Sequence, residues 1–311
     1  MKPPFAEITA RLDRLLREGK GGMARRELET LYEIKVPRQF AASLGSLSWR
    51  ASLPAFGIRV LNPIVRPKEK APVVATEEEK AEYAACLIRL GAVEEASQLL
   101  SQLNAAALPR VFLYRAFIAV SRWDYAASIP LLIEYLAAKG LTKYQRMVAQ
   151  VNLAAAYVSE RDHQKATYLL RPLLYESSVK RSQLALGRVL ELSAENFINQ
   201  KKWDNAEAFL VKAESVLADS DGIDLFFVKK FRAVARVQRA KGNPQSLDEL
   251  RLVRTEAIRR AHWETARDLD RIEAVVKRDP ALFAHVYFGT PFESFRQKME
   301  EDAKGALVPP K

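Results

Sequence analysis

Residues that carry redox, metal and acid–base chemistry are scarce in this chain. Its 311 residues include one cysteine, Cys86, and three histidines, His163, His262 and His285. A single thiol excludes an internal disulfide and a thiolate metal cluster. No histidine has a second histidine three or four residues away, the spacing that a helical metal site uses. We therefore expect no metal or other cofactor, a small buried apolar role for Cys86, and structural or surface roles for the histidines.

Glycine is also rare, with 12 residues, and its one cluster, residues 19–22, has no strand pattern before it. A phosphate-binding loop needs that strand, so the cluster predicts a turn between helices instead. The chain contains neither a GxSxG sequence nor a metalloprotease helix motif. Strong helix formers dominate throughout, and the alternation typical of strands is hard to find. The sequence predicts an all-α protein that is not an enzyme.

Long apolar runs are missing as well. No segment of eighteen apolar residues occurs, and the start, MKPPFAEITARLDRLL, lacks the apolar core of a signal peptide. We expect a cytoplasmic protein with no membrane insertion. Charge, in contrast, is unbalanced: 49 lysines and arginines face 38 acidic residues, a net charge of +11. This excess favours an acidic partner, which could be a protein, nucleic acid or an anionic membrane surface.

What the chain does contain is a repeat, centred on residues 194–213. Its marker residues Phe197, Trp203, Ala206 and Leu210 recur, by residue type, at earlier positions. The matching sets are Tyr157, His163, Ala166 and Leu170, forty residues earlier; Phe117, Trp123, Ala126 and Ile129, with a second shift of forty; and Leu87, Ala96 and Leu99, with a shift of thirty. A recurring period of this size predicts an α-solenoid of stacked antiparallel helical hairpins.

The period divides the chain into segments. Residues 1–65 form degenerate hairpins, 66–75 a linker, 76–218 the regular repeats, 219–302 divergent repeats with a capping helix, and 303–311 a disordered tail. Within the regular part the hairpins span 77–103, 108–139, 143–174 and 180–217. Thr76 and Glu79 predict a capping box at the first of these helices. Pro63 is expected to end a short helix over 55–61.

This pattern resembles the tetratricopeptide repeat family over residues 77–217. The shared features are an aromatic residue or leucine late in the first helix, a turn, an aromatic residue, an alanine three residues on, and a large apolar residue one turn later. The best matches are Tyr157, His163, Ala166 and Leu170, and then Phe197, Trp203, Ala206 and Leu210. The resemblance implies a right-handed superhelix in which the first helices line a concave groove.

Two departures from the family pattern stand out. The repeats are thirty and forty residues long rather than about thirty-four, which is similar to the longer repeats of some bacterial regulators. The usual turn glycine is present only as Gly91, with Ser121, Arg161 and Lys201 in its place. The aromatic set Trp123, Trp203 and Trp263 is expected to pack between helices rather than to bind a ligand.

The resemblance also nominates groove residues, at two and six positions before the late aromatic residue. In the third and fourth regular copies these are Ala155 with Val151 and Glu195 with Glu191; Asn199 lies one turn on, and Arg115 holds the same place in the second copy. The co-chaperones of this family that grip a C-terminal carboxylate use a lysine and asparagine set, which is not matched because Val151 and Ala155 are apolar.

A second candidate surface is a basic stripe on the next first helix. Its residues are Lys229, Arg232, Arg236 and Arg239, and steps of three, four and three place them on one helix face. If this basic stripe faces the groove, it suits an acidic peptide or protein surface, because arginine pairs bidentately with carboxylates. The competing interpretation is an ordinary solvated face.

Three functions remain open on the sequence. The first is a non-enzymatic scaffold that binds an acidic protein or peptide in its groove through Arg115, Glu191, Glu195, Asn199 and the basic stripe. The second is a sensor or regulator that acts with nucleic acid or with a transcription or signalling complex; the net charge supports it, but no helix-turn-helix segment is found. The third is an enzyme with an unrecognised site.

Overall fold

The computed structural model describes residues 5–67, 74–179, 183–218, 223–259 and 263–278. These residues form fifteen α-helices, a short 3-10 turn at Arg38–Phe40 and no strand, so the all-α prediction is confirmed. The helices are α1 (Phe5–Arg17), α2 (Gly21–Glu29), α3 (Ala41–Arg50), α4 (Pro54–Val65), α5 (Glu77–Arg89), α6 (Val93–Ser101), α7 (Arg110–Ser121), α8 (Tyr125–Ala137), α9 (Lys143–Ser159), α10 (His163–Val179), α11 (Gln183–Asn199), α12 (Trp203–Val216), α13 (Ile223–Arg239), α14 (Pro244–Arg259) and α15 (Trp263–Lys277).

The helices pack in chain order as seven hairpins, α1–α2 to α13–α14, followed by α15. We call the odd-numbered member of each hairpin its first helix and the even-numbered member its second helix. First helices also pack on the next first helix, as α3 does on α5 and α11 on α13, except that α7 and α9 make no comparable contact. No two second helices make a comparable contact within the described residues. The first helices therefore form one layer, which we call the first-helix layer, and the second helices lie on its other side.

One turn geometry recurs in all seven hairpins. A residue after the first helix has a positive φ, from 50° to 85°, and the next N–H donates to a carbonyl five residues back, as Ala92 does to Leu87 at 3.0 Å. This is the hydrogen bond that closes a helix through a left-handed residue. The left-handed residues are Gly19, Ser52, Gly91, Trp123, Arg161, Lys201 and Lys241.

The left-handed residue sets the packing of each hairpin. Five residues after it stands a small buried residue: Ala24, Gly57, Ala96, Ser128, Ala166, Ala206 and Ser246. Nine residues after it stands a buried leucine: Leu28, Leu61, Leu100, Leu132, Leu170, Leu210 and Leu250. The small residue lets the two helices approach closely, and the leucine fills the space one turn further on. The same packing is therefore present in the segment 1–65, where degenerate hairpins were predicted.

The predicted register of the second regular hairpin was wrong by two residues. Ala126 is exposed, whereas Ser128 and Leu132 occupy the packing positions. Likewise Trp123, not Ser121, is the left-handed turn residue. The reason is that this turn precedes the next, at Arg161, by 38 residues rather than forty. A fixed shift cannot follow repeats of unequal length.

Two predictions about helix ends have different outcomes. The capping box is confirmed: Glu79 N–H donates to Thr76 Oγ1 at 3.1 Å, and Thr76 N–H donates to Glu79 Oε2 at 2.8 Å. The prediction that Pro63 ends its helix was wrong, since α4 continues to Val65. A proline in the last turn removes only one intrahelical hydrogen bond, so the helix tolerates it there.

The first two hairpins join the regular repeats without a break in packing. Helices α3 and α4 both pack on α5, and Arg38 pairs with Glu79 at 2.9 Å. The linker predicted at 66–75 lies mostly outside the described residues, as do the capping helix and tail predicted after residue 278.

We predict that Gly57→Ala destabilises the chain by about 1 to 3 kcal/mol. A Cβ atom at Gly57 lies 2.3 Å from Ser48 Oγ and 2.4 Å from Cys86 Sγ, so α3, α4 and α5 would have to separate. Gly21→Ala is the matched control, because nothing lies within 4 Å of its added Cβ. Urea unfolding followed by circular dichroism measures both. Equal midpoints for the two variants would contradict the close crossing.

Candidate functional site

Three residues of the basic stripe form ion pairs with second helices. The pairs, each at 3.0 Å, are Arg232 with Glu207 and Glu214, Arg239 with Asp204, and Arg236 with Glu249. The first three acids belong to α12 and the last to α14. The basic stripe therefore faces the second helices, away from the first-helix layer.

These pairs differ in strength because they differ in exposure. The Arg232 side chain is only 16% exposed and is held by two carboxylates, whose charges outweigh the effect of burial and raise its pKa. Arg236 and Arg239 are 55% and 60% exposed, and ion pairs at that exposure contribute little to stability. Lys229 is exposed as well. Partner binding by the basic stripe stays a prediction.

Lys230 lies on the opposite side of the same helix. Two residues along a helix correspond to a rotation of about 200°, so Lys230 and Arg232 point in nearly opposite directions. Lys230 is only 8% exposed, and its Nζ lies 2.5 Å from Oδ2 of Asp268 on α15. Lys230 was not among the predicted contact residues, because nothing in the sequence pairs it with a residue so far along the chain.

Glu191 and Glu195, both predicted groove residues, lie on α11 near Lys230. Glu191 is 1% exposed and its carboxylate lies 2.5 Å from Arg188 Nη1. Glu195 is half-buried; burial raises its pKa to about 7, against the attraction of Lys230 and with a further increase from Glu191. We call Glu191, Glu195, Lys230 and Asp268 the inner cluster. It brings two predicted residues together with two that were missed.

The other two polar residues predicted for the groove, Asn199 and Arg115, bind backbone oxygens. Asn199 Nδ2 donates to Val158 O at 3.0 Å and joins α11 to α9. Arg115 Nη2 donates to Leu100 O at 2.8 Å and joins α7 to α6. The choice of Arg115 rested on the register that is two residues out in this hairpin. Both side chains connect neighbouring hairpins, and their role as partner contacts stays a prediction.

Helix α15 extends from the inner cluster to the fourth hairpin. The Arg267 guanidinium lies over the Trp123 ring, 5.0 Å from its centroid, at the α7–α8 turn. Burial raises the pKa of Tyr125, at the start of α8, and the charges of Asp268 and Glu195 add to this increase. Trp123 was expected to pack between neighbouring helices; it stands in the α7–α8 turn, where α15 contacts its ring. Helix α15 thus links the seventh hairpin to the fourth.

A similar contact joins the start of the chain to its middle. The guanidinium groups of Arg17 and Arg50 lie 5.2 Å and 5.8 Å from the Tyr144 ring centroid, at the start of α9. A Cβ added at Gly19 would lie 3.3 Å from Leu184 at the start of α11. Hairpins that are three to five positions apart in sequence therefore touch.

Another buried carboxylate, Glu82, has a structural role. It accepts hydrogen bonds from Trp49 Nε1 at 3.1 Å, Arg110 Nη1 at 2.6 Å and Tyr114 OH at 2.8 Å. Three donors satisfy a fully buried carboxylate and join α3, α5 and α7. Nearby, burial raises the pKa of Cys86 to about 12, so its thiol is a packing group and the prediction for Cys86 is confirmed.

Of the histidines, only His163 lies in the described part of the chain, where its Nδ1 is 2.7 Å from Asn196 Oδ1. Among the described residues no three histidine, cysteine or acidic side chains are grouped so that they could hold a metal ion. None of the described helices combines the length and the apolar character needed to cross a membrane.

The chain matches no protein-family model and no curated protein sequence. The tetratricopeptide resemblance therefore remains a hypothesis that rests on the residues quoted above.

We predict that Glu195→Gln removes a pH dependence of stability. A carboxyl whose pKa rises from 4.5 to about 7 on folding binds its proton more tightly in the folded state. Stability should therefore fall as pH rises from 4.5 to 7, and the full penalty is present above pH 7. Glu195→Gln should flatten this slope and make the protein more stable at pH 8.

Urea midpoints at pH 5, 6, 7 and 8 provide the measurement. Glu134→Gln, at an exposed position on α8, is the control and should leave the slope unchanged. A slope between pH 5 and 7 that survives in Glu195→Gln would show that another group causes it.

Proposed function

We propose that this protein is a non-enzymatic α-solenoid scaffold that binds a segment of an acidic protein on its first-helix layer. The observation that carries the proposal is the sevenfold repeat of left-handed turn, small residue and leucine. Packing occupies these fixed positions in every hairpin. The polar residues on the first helices differ from one hairpin to the next, which leaves them available for recognition.

Contacts between distant hairpins support a curved array. A straight stack of hairpins would allow each to touch only its neighbours. Here Arg267 reaches Trp123, and Arg17 reaches Tyr144, across several intervening hairpins. Such contacts require the array to bend back towards itself, and they involve the ends of first helices and a turn. We propose that the array is a right-handed superhelix in which the first helices line the inner side.

The charge on the first-helix layer favours an acidic segment. The buried ammonium group of Lys230 lies there and pairs with the carboxylate of Asp268, since a buried ammonium group requires an anionic partner. Around it the chain carries a net charge of +11, which raises the rate of encounter with acidic proteins. The exposed arginines Arg236 and Arg239 contribute to that field from the other side of α13.

The test is affinity purification of the tagged full-length protein from native lysate, with and without nuclease. Two variants are compared with the unaltered chain: Lys230→Gln on the first-helix layer, and the double variant Arg236→Glu/Arg239→Glu on the basic stripe. We expect a protein partner that survives nuclease, is reduced at least about tenfold by Lys230→Gln, and is retained by the double variant. Circular dichroism of each variant controls for folding.

Other outcomes select other functions. If the protein partner is lost only in the double variant, its binding site is the basic stripe. Nucleic acid that co-purifies and is released by added salt, with no stable protein partner, would favour the regulator. If neither protein nor nucleic acid co-purifies with the unaltered chain, the scaffold function is contradicted.

A further inference from the structure

We infer that α15 covers the partner-binding surface of its own chain, and that a partner binds the inner cluster only when α15 moves away. The partner segment is a helix that carries a carboxylate for Lys230, in the place that Asp268 takes here. This inference rests on the proposed function and adds to it the chemistry of the partner and a means of regulation.

The ammonium group of Lys230 is paired with a side chain of α15. This group is almost fully buried, and its 2.5 Å partner, Asp268, comes from α15 rather than from α11 or α13. Asp268 is itself held ionised: burial opposes its charge, but Lys230 and Arg271 outweigh that effect and lower its pKa. A surface that binds one helix through a carboxylate is suited to bind another in the same way.

Helix α15 contacts two hairpins that are far apart in the sequence. It touches the seventh hairpin through Lys230 and the fourth hairpin through Trp123. Glu195 and Tyr125 lie near α15: burial raises the pKa of both groups, and the charge of Asp268 adds to each increase. Removal of α15 would therefore open the polar part of the first-helix layer.

Ion pairs account for much of the contact between α15 and its neighbours. Its contacts with the rest of the chain are rich in ion pairs: Asp268 with Lys230, Glu273 with Arg251 at 2.7 Å, and Asp270 with Arg254. Its buried apolar side chains include Leu269 and two alanines, Ala266 and Ala274. Two of these pairs use partly exposed arginines, Arg251 at 48% and Arg254 at 38%, and such pairs weaken with added salt more than the buried pair of Lys230 does. Helix α15 should therefore detach before the hairpins unfold.

Amide hydrogen exchange of the full chain tests whether α15 opens. Arg267→Ala removes the contact with Trp123 and leaves the inner cluster intact. We expect exchange in α15 to accelerate at least about tenfold, and exchange in α5 and α6 to stay unchanged. Added salt should act in the same direction. Arg171→Ala, at an exposed position on α10, is the matched control and should leave α15 unaffected.

A peptide of residues 263–277 with a fluorescent label tests whether the uncovered surface binds a helix. Fluorescence anisotropy measures its affinity for the full chain. We expect Arg267→Ala to bind it at least about tenfold more tightly than the unaltered chain, because more molecules are open. Asp268→Asn in the chain should act likewise. The combined variant Arg267→Ala/Lys230→Gln should lose this binding.

Three results would overturn the inference: unchanged exchange in α15, equal peptide affinity for the unaltered chain and Arg267→Ala, or binding that does not depend on Lys230. A different result would contradict the proposed function alone. In that result α15 opens and the peptide binds as expected, but no protein from the lysate depends on Lys230 for binding.

Discussion

The close approach of two helices within each hairpin is the constraint on which the rest of the structure depends. It requires a residue no larger than alanine or serine five positions after a left-handed turn, and all seven hairpins meet this requirement. Where the residue is Gly57, even a methyl group would meet the atoms of two neighbouring helices. Since the crossing fixes how each second helix lies on its first helix, it also fixes which side of the first helix remains for other contacts. The first-helix layer follows from this crossing.

Much of the fold could be predicted because its signals are local. The capping box at Thr76 follows from a short pattern, and the structure has it. The register of the fourth hairpin could not be predicted, since the repeats differ in length and the left-handed position there is filled by Trp123. A tryptophan in that conformation carries no signal in the sequence, unlike the glycine at position 91. Packing of the whole hairpin imposes the conformation instead.

The candidate site was predicted in part, for a related reason. Helical periodicity shows that Lys229, Arg232, Arg236 and Arg239 share a face, but it does not show which layer that face meets. That depends on ion pairs with α12 and α14, whose acids stand elsewhere in the chain. Glu191 and Glu195 were found because the family resemblance places them on the first-helix layer. Lys230 and Asp268 were missed because their pairing depends on how α15 packs on α13, which the sequence does not show.

The two groups of basic residues on α13 differ in what they do for the chain. The arginines of the basic stripe link α13 to the helices on either side of it, so their charges serve the stacking of hairpins. Lys230 holds α15 through its ion pair with Asp268. Helix α15 relies on ion pairs as well as on packing, so the helix that we infer covers the polar residues of the first-helix layer is joined to α13 and α14 partly by polar contacts. The chain can therefore uncover those residues without loss of the packing that positions them.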